Sequence, residues 1–152
     1  MARWLVDTNV LLRGVLPNTP EHELARKAGV IPLRRGDELC FTLQGLAEFW
    51  NVCTRPTTAR GGFGLSVGET ARRTRMIERL GTYLPDITAV RTHWQQLVIT
   101  HQVQGVQVHD ARLVASMLAH HITHLITFNT TDFRRYSQIT AVHPQDVLDG
   151  KV

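Results

Sequence analysis

The chain has 152 residues, the usual size of one domain, and its 43% hydrophobic content is enough for a single buried core. No stretch approaches the roughly 20 apolar residues of a membrane span, and the opening run Trp4-Leu5-Val6 meets an acid at Asp7, far too soon for the core of a signal peptide; secretion and membrane insertion are disfavoured and a cytoplasmic protein is expected. The net charge of +4 is almost wholly arginine, since Lys27 and Lys151 are the only lysines, and it suits a polyanionic partner as well as a plain solvated surface.

Arg3 to Val6 is a short apolar run that stops at Asp7-Thr8-Asn9, the pattern of a buried strand ending in a turn. A helix is predicted from about Glu21 to Val30, broken by Pro32 to Asp37, and a second strand from Glu38 to Thr42. Leu43, Leu46, Ala47, Phe49, Trp50 and Cys53 recur at helical spacing, so Leu43 to Thr54 reads as a helix carrying Glu48. Arg55 to Gly68 holds Pro56 and four glycines and reads as an exposed, flexible loop, the best candidate for a lid. A helix follows from Val67 to Leu80, starting near Ser66 or Gly68, then a strand at Thr82 to Leu84 and a helix from about Ala89 to His101.

The run from Ala111 to Ala119 demands another helix, with Asp110 at its beginning. His124 to Phe128 reads as the fourth strand, Asn129 to Arg135 as a loop, Gln138 to Val142 as an edge strand, and the rest as a polar tail. Strands alternating with helices predict an α/β domain over residues 1–148, built on a mainly parallel sheet covered on both faces, with 149–152 a short tail. Cys40 and Cys53 each sit among apolar neighbours and read as reduced core residues.

In a parallel α/β sheet, sites collect beyond the carboxyl ends of the strands. Asp7 closes the first strand, Asp110 opens the helix before the fourth, and Asp132 lies just after the fourth. Glu48 lies about one turn into the helix after the second strand and can reach the same edge. Singly, each has a bland explanation, Asp7 as a turn cap and Asp110 as a helix cap; Glu48, among Leu46, Ala47, Phe49 and Trp50, needs a partner or a pocket because a lone buried carboxylate is costly. Grouped carboxylates repel one another unless a cation neutralises them, and hard oxygen ligands suit Mg²⁺ or Mn²⁺. Such a pocket in a basic protein points to phosphodiester cleavage, with Arg13, Arg112, Arg134 and Arg135 as candidates to grip flanking phosphates.

The segments Val6-Asp7-Thr8-Asn9-Val10, Glu48-Phe49-Trp50, His109-Asp110-Ala111 and Thr127-Phe128-Asn129-Thr130-Thr131-Asp132-Phe133, in that order and over nearly the whole chain, resemble the PIN-domain nucleases, and among them the VapC-type toxins. The resemblance implies a three-layer α/β/α sandwich with a central parallel sheet and Mg²⁺- or Mn²⁺-dependent endonuclease activity on RNA. It maps the metal-binding acids to Asp7, Glu48, Asp110 and Asp132, leaves the fourth ligand shared between Asn129 and Asp132, and gives Thr8, Asn9 and Thr127 supporting roles. It further implies a cytoplasmic homodimer silenced by a cognate antitoxin.

Three other readings compete. Zinc could be drawn to His109, His120, His121 and His124, but neither a C-x-x-C nor an H-E-x-x-H motif occurs. A haloacid-dehalogenase-like phosphatase would start with Asp7 after the first strand, yet Asn9 stands where that family has a second aspartate. A non-catalytic RNA-binding module on the same scaffold would not need the acids.

Overall fold

The computed structural model describes all residues, Met1–Val152. Five strands, β1 (Arg3–Val6), β2 (Glu38–Thr42), β3 (Thr82–Leu84), β4 (His124–Ile126) and β5 (Thr140–Val142), form one all-parallel sheet in the order β3-β2-β1-β4-β5. β1 lies at the centre, with Trp4 level with Leu39 on one side and His124 on the other. The chain winds outward from β1 to β2 and β3, then returns across the sheet to β4 and β5. The strand order therefore reverses between β1 and β4, and the crevice beyond their carboxyl ends is where an open α/β sheet offers a site.

The alternating faces of β1 show how three layers arise. Leu5 turns to one side and joins Val90 and Leu97 of α5 (Thr88–Thr100) and Ala111, Val114, Ala115 and Met117 of α6 (Val108–Ala119). Trp4 and Val6 turn to the other side and pack on Val10 of α1 (Thr8–Val15) and Ala25 and Ala28 of α2 (His22–Arg34), beside Val147 of α7 (Pro144–Leu148). On that same side Phe41 of β2 meets Phe49 and Cys53 of α3 (Leu43–Thr54) and Ile77 of α4 (Val67–Leu80). Strands buried on both faces need apolar residues on both, which is why β1 and β2 carry the runs Trp4-Leu5-Val6 and Leu39-Cys40-Phe41. Cys40 and Cys53 fall in different clusters as free thiols, and burial pushes both up to about 11. No helix is long and apolar enough to cross a membrane.

Several boundaries differ from the sequence reading. Asp7-Thr8-Asn9 is the start of α1 and not a turn: Asp7 is its N-cap, with an extended backbone and a carboxylate that accepts from the Thr8 amide. The apolar stretch behind it is only two turns long, too short to announce a helix by periodicity. Pro32 does not break α2 but sits in its last turn, and the helix stops two residues later, at Arg34. Its end is a Schellman closure, in which Gly36 at φ +86° donates to the Leu33 carbonyl and Asp37 to the Pro32 carbonyl. α4 is capped by Ser66, whose hydroxyl accepts from the Glu69 amide. Residues 130–133, expected as loop, form a 3-10 turn, and α7 fills part of the expected polar tail.

The glycine-rich loop is exposed but does not sit as a lid over the acids. Phe63 and Leu65 donate to the carbonyls of Val52 and Cys53, and Gly64 to that of Arg55, which ties the loop to the far end of α3. It closes over Leu12, Arg13 and Thr19 there. Gly62 is obligatory in this fold-back, since a Cβ would lie 2.2 Å from the Pro56 carbonyl oxygen.

Candidate active site

Asp7 leaves β1 at the central crevice, and its amide still pairs with the Ile126 carbonyl of β4. Its side chain is 8% exposed and fully engaged. Oδ1 accepts from the Thr8 amide at 2.7 Å, and Oδ2 accepts from the Thr127 hydroxyl at 2.7 Å and from Asn9 Nδ2 at 3.2 Å. Thr127, just past β4, also accepts from the Asn129 amide at 3.0 Å, while Asn9 Oδ1 accepts from the Phe128 amide at 3.2 Å. The two chain segments that leave β1 and β4 are thus laced together through Asp7, Asn9 and Thr127, all polar and all local to the strand ends.

Glu48 approaches from α3. Its Oε2 accepts from the Thr8 hydroxyl at 3.1 Å and its Oε1 from Gln44 Nε2 at 3.3 Å. Gln44 was not among the sequence-predicted residues; the available signal was its place one helical turn before Glu48, on the same face. Asp110 stands in the first turn of α6, where a 3-10 turn at Gly105–Gln107 leads into the helix, and Gln107 rather than Asp110 takes the cap position. Asp132 is exposed in the 3-10 turn after β4, and Asn129, also exposed, precedes that turn.

These acids feel one another. Burial pushes the Asp110 carboxyl up to about 6, and the nearby charges of Asp7, Asp132 and Glu48 add to the rise. Burial likewise raises Asp7 above the usual carboxylate range, against the pull of its hydrogen bonds from Thr127 and Thr8, with Glu48 adding to the rise. No three Asp, Glu, His or Cys side chains are grouped closely enough to hold an ion directly among them. Mg²⁺, however, keeps several waters and takes only one or two carboxylates directly. A set of hard carboxylate oxygens under mutual repulsion has the donor chemistry that suits such an ion.

A pH dependence follows for the metal-free protein. Between the unfolded pKa near 4 and the folded value of about 6, the native state holds a proton on Asp110 that the unfolded state has released. The contribution of Asp110 to stability therefore falls as pH rises through that window and does not change above it. Allowing for solvent screening of a half-buried group, the loss is on the order of 1–2 kcal/mol. Thermal unfolding in EDTA at several pH values, compared between wild type and Asp110→Asn, reads it directly: the slope should flatten in the variant.

The four arginines do not converge on the acids. Arg13 donates to the Asn9 carbonyl, pairs with Glu21 at 3.2 Å and lies 5.0 Å over the Phe128 ring. Arg112 pairs with Asp86 at 2.7 Å, and Arg135 donates to Gln107 Oε1 at 2.8 Å. Arg134 is exposed beside Thr130 and Phe133 and has no carboxylate within 4.0 Å. Of the histidines, His120 contacts the Pro85 carbonyl at 2.8 Å and His124 packs on Trp4 with ring centroids 4.9 Å apart.

The fold has many solved counterparts. A VapBC structure bound to DNA from Salmonella typhimurium superposes with a TM-score of 0.67 at 17% identity, covering 95% of this chain and 99% of that one. A toxin–antitoxin complex from Klebsiella pneumoniae gives 0.63 at 21% identity, covering 95% and 98%. The Mycobacterium tuberculosis VapC20, a sarcin–ricin loop cleaving toxin, gives 0.63 at 13% identity, covering 88% and 95%. No curated protein matches the sequence. At these identities the superpositions speak for the fold, and the sequence itself matches the PIN domain model over residues 4–139. With an all-parallel α/β/α sandwich and that match across nearly its whole length, the chain belongs to the PIN-domain family.

Proposed function

We propose that this protein is a Mg²⁺- or Mn²⁺-dependent endoribonuclease, the toxin of a toxin–antitoxin pair, acting in the cytoplasm. The observation that carries the reading is that Thr8 bonds both Asp7 and Glu48, and Gln44 links Glu48 to the residue before Asp110, while burial and the neighbouring acids raise the Asp110 carboxyl. Acids kept under such repulsion in a PIN fold are poised to take up a divalent cation, and the toxin–antitoxin neighbours support the biological role.

Asp7, Asp110, Glu48 and either Asp132 or Asn129 would hold the ion. When bound, it supplies a water of lowered pKa and shields charge on the phosphate during in-line displacement. The chain's own part is placement. Thr127 and the Thr8 amide fix both oxygens of Asp7, and the Thr8 hydroxyl and Gln44 fix both oxygens of Glu48. Asn9 keeps the β1 and β4 exits in register. Arg134, without a carboxylate partner, is the best placed of the arginines to meet a flanking phosphate, whereas Arg13, Arg112 and Arg135 would first have to leave their present contacts. The working unit would be a homodimer, and the antitoxin would silence it by directing an arginine into the acids, where a guanidinium pairs with carboxylates and displaces the metal.

The test is cleavage of a single-stranded RNA, its duplex and the matching DNA at fixed salt, with Mg²⁺, with Mn²⁺ and with EDTA. Cleavage of the single-stranded RNA that needs the metal is the expected result. Equal activity in EDTA would overturn the mechanism, and a preference for DNA or duplex RNA would overturn the substrate.

A further inference from the structure

The protein has one buried side-chain nitrogen or oxygen with no hydrogen-bond partner, and it is Gln44 Oε1. The other end of the same amide is well occupied: Nε2 donates to Glu48 Oε1 at 3.3 Å and to the His109 carbonyl at 2.8 Å. Both of those partners are oxygens that only accept, so the amide cannot be turned round without losing both bonds. The orphaned acceptor is therefore a fixed feature of this side chain.

Its location is equally definite. Gln44 lies in the first turn of α3, one turn before Glu48, and reaches across to the first turn of α6, at the residue before Asp110. It is the side chain that ties the helix bearing Glu48 to the helix bearing Asp110. Buried polar atoms are almost always satisfied, so the two bonds from Nε2 are what hold this amide in place while its oxygen has no donor within the protein.

We propose that Gln44 is a positioning residue of the metal site, clamping Glu48 against the first turn of α6 through the two hydrogen bonds that Nε2 donates. This rests on the metal-dependent reading given above. The ion's outer partners orient its carboxylates, and losing one such partner weakens metal binding by about ten- to a hundredfold.

The experiment measures Mn²⁺ binding calorimetrically on the full chain without RNA, for wild type, Gln44→Met and Gln44→Ala, with thermal unfolding in EDTA alongside. Methionine keeps the bulk and loses both hydrogen bonds of the amide; alanine serves if the thioether does not fit. The expected result is a Mn²⁺ dissociation constant raised about tenfold or more, while the melting temperature of the metal-free protein stays the same or rises. A Mn²⁺ affinity within twofold of wild type in folded variants overturns the assignment, as does a loss of Mn²⁺ affinity no larger than the loss of thermal stability explains. If wild type binds Mn²⁺ and the variants bind it weakly while the separate cleavage test finds no RNA cut, the role of Gln44 stands and the ribonuclease reading falls. If wild type binds no Mn²⁺, both fall.

Discussion

Asp7→Asn is expected to abolish RNA cleavage, by about a thousandfold or more, and to leave the fold intact. The size follows from the several kcal/mol of charge stabilisation that a catalytic metal supplies, at about 1.4 kcal/mol per decade of rate. The fold is preserved because asparagine caps a helix as well as aspartate does, and its carbonyl oxygen can still accept from the Thr8 amide at the start of α1. What changes is the charge. Asp7 is the most buried of the four acids and is disfavoured in its ionised form by that burial, so a neutral amide removes a source of strain in the metal-free protein even as it weakens the hold on the ion. Melting temperature and single-stranded RNA cleavage measured on the same preparation separate the two effects. Cleavage at the wild-type rate under saturating Mg²⁺ would remove Asp7 from the mechanism, and a variant that melts far below wild type would mean that the loss of activity is only a loss of structure.

Phe49→Ala is expected to cost about 3–5 kcal/mol of unfolding free energy. Phe49 is 0% exposed and packs in the cluster formed by Leu12, Leu16, Phe41, Cys53 and Ile77, where α1, α3 and α4 meet β2. Deleting the ring leaves a cavity that three helices and a strand would have to close together, which close packing resists. For a domain whose whole stability is about 5–15 kcal/mol, that is a large fraction. Phe49 also follows Glu48 in the chain, so a loosened α3 carries Glu48 and Gln44 away from Thr8 and His109. Activity should fall with stability in Phe49→Ala, whereas Glu48→Gln should lose activity with little change in the urea midpoint. A cost under about 1 kcal/mol for Phe49→Ala would show that this cluster is not closely packed.

Much of this protein was legible in its residues because the relevant physics is local. Alternation and apolar runs set β1, β2 and β3 to the residue, helical spacing did the same for α3 and α4, and the strand–helix alternation required a parallel sheet with both faces covered. The same alternation sets the expectation that Asp7, Asp110 and Asp132 gather at one sheet edge, since each follows a strand or opens a helix. Short or end-defined elements escaped. α1 is too brief for its period to stand out, α2 runs through a proline that sits harmlessly in its last turn, and α7 hides in a polar tail. The partners of side chains escaped as well, because a hydrogen bond or ion pair spanning tens of residues leaves no trace in spacing. Only the tertiary structure decided that Arg112 is taken by Asp86 and Arg13 by Glu21, and that the glycine loop folds onto the far end of α3 instead of over the acids. The same holds for Gln44: an ordinary exposed-looking polar residue in the sequence, it acquires a role because chain crossing brings His109, 65 positions away, within 2.8 Å of its amide and leaves its carbonyl oxygen buried without a donor.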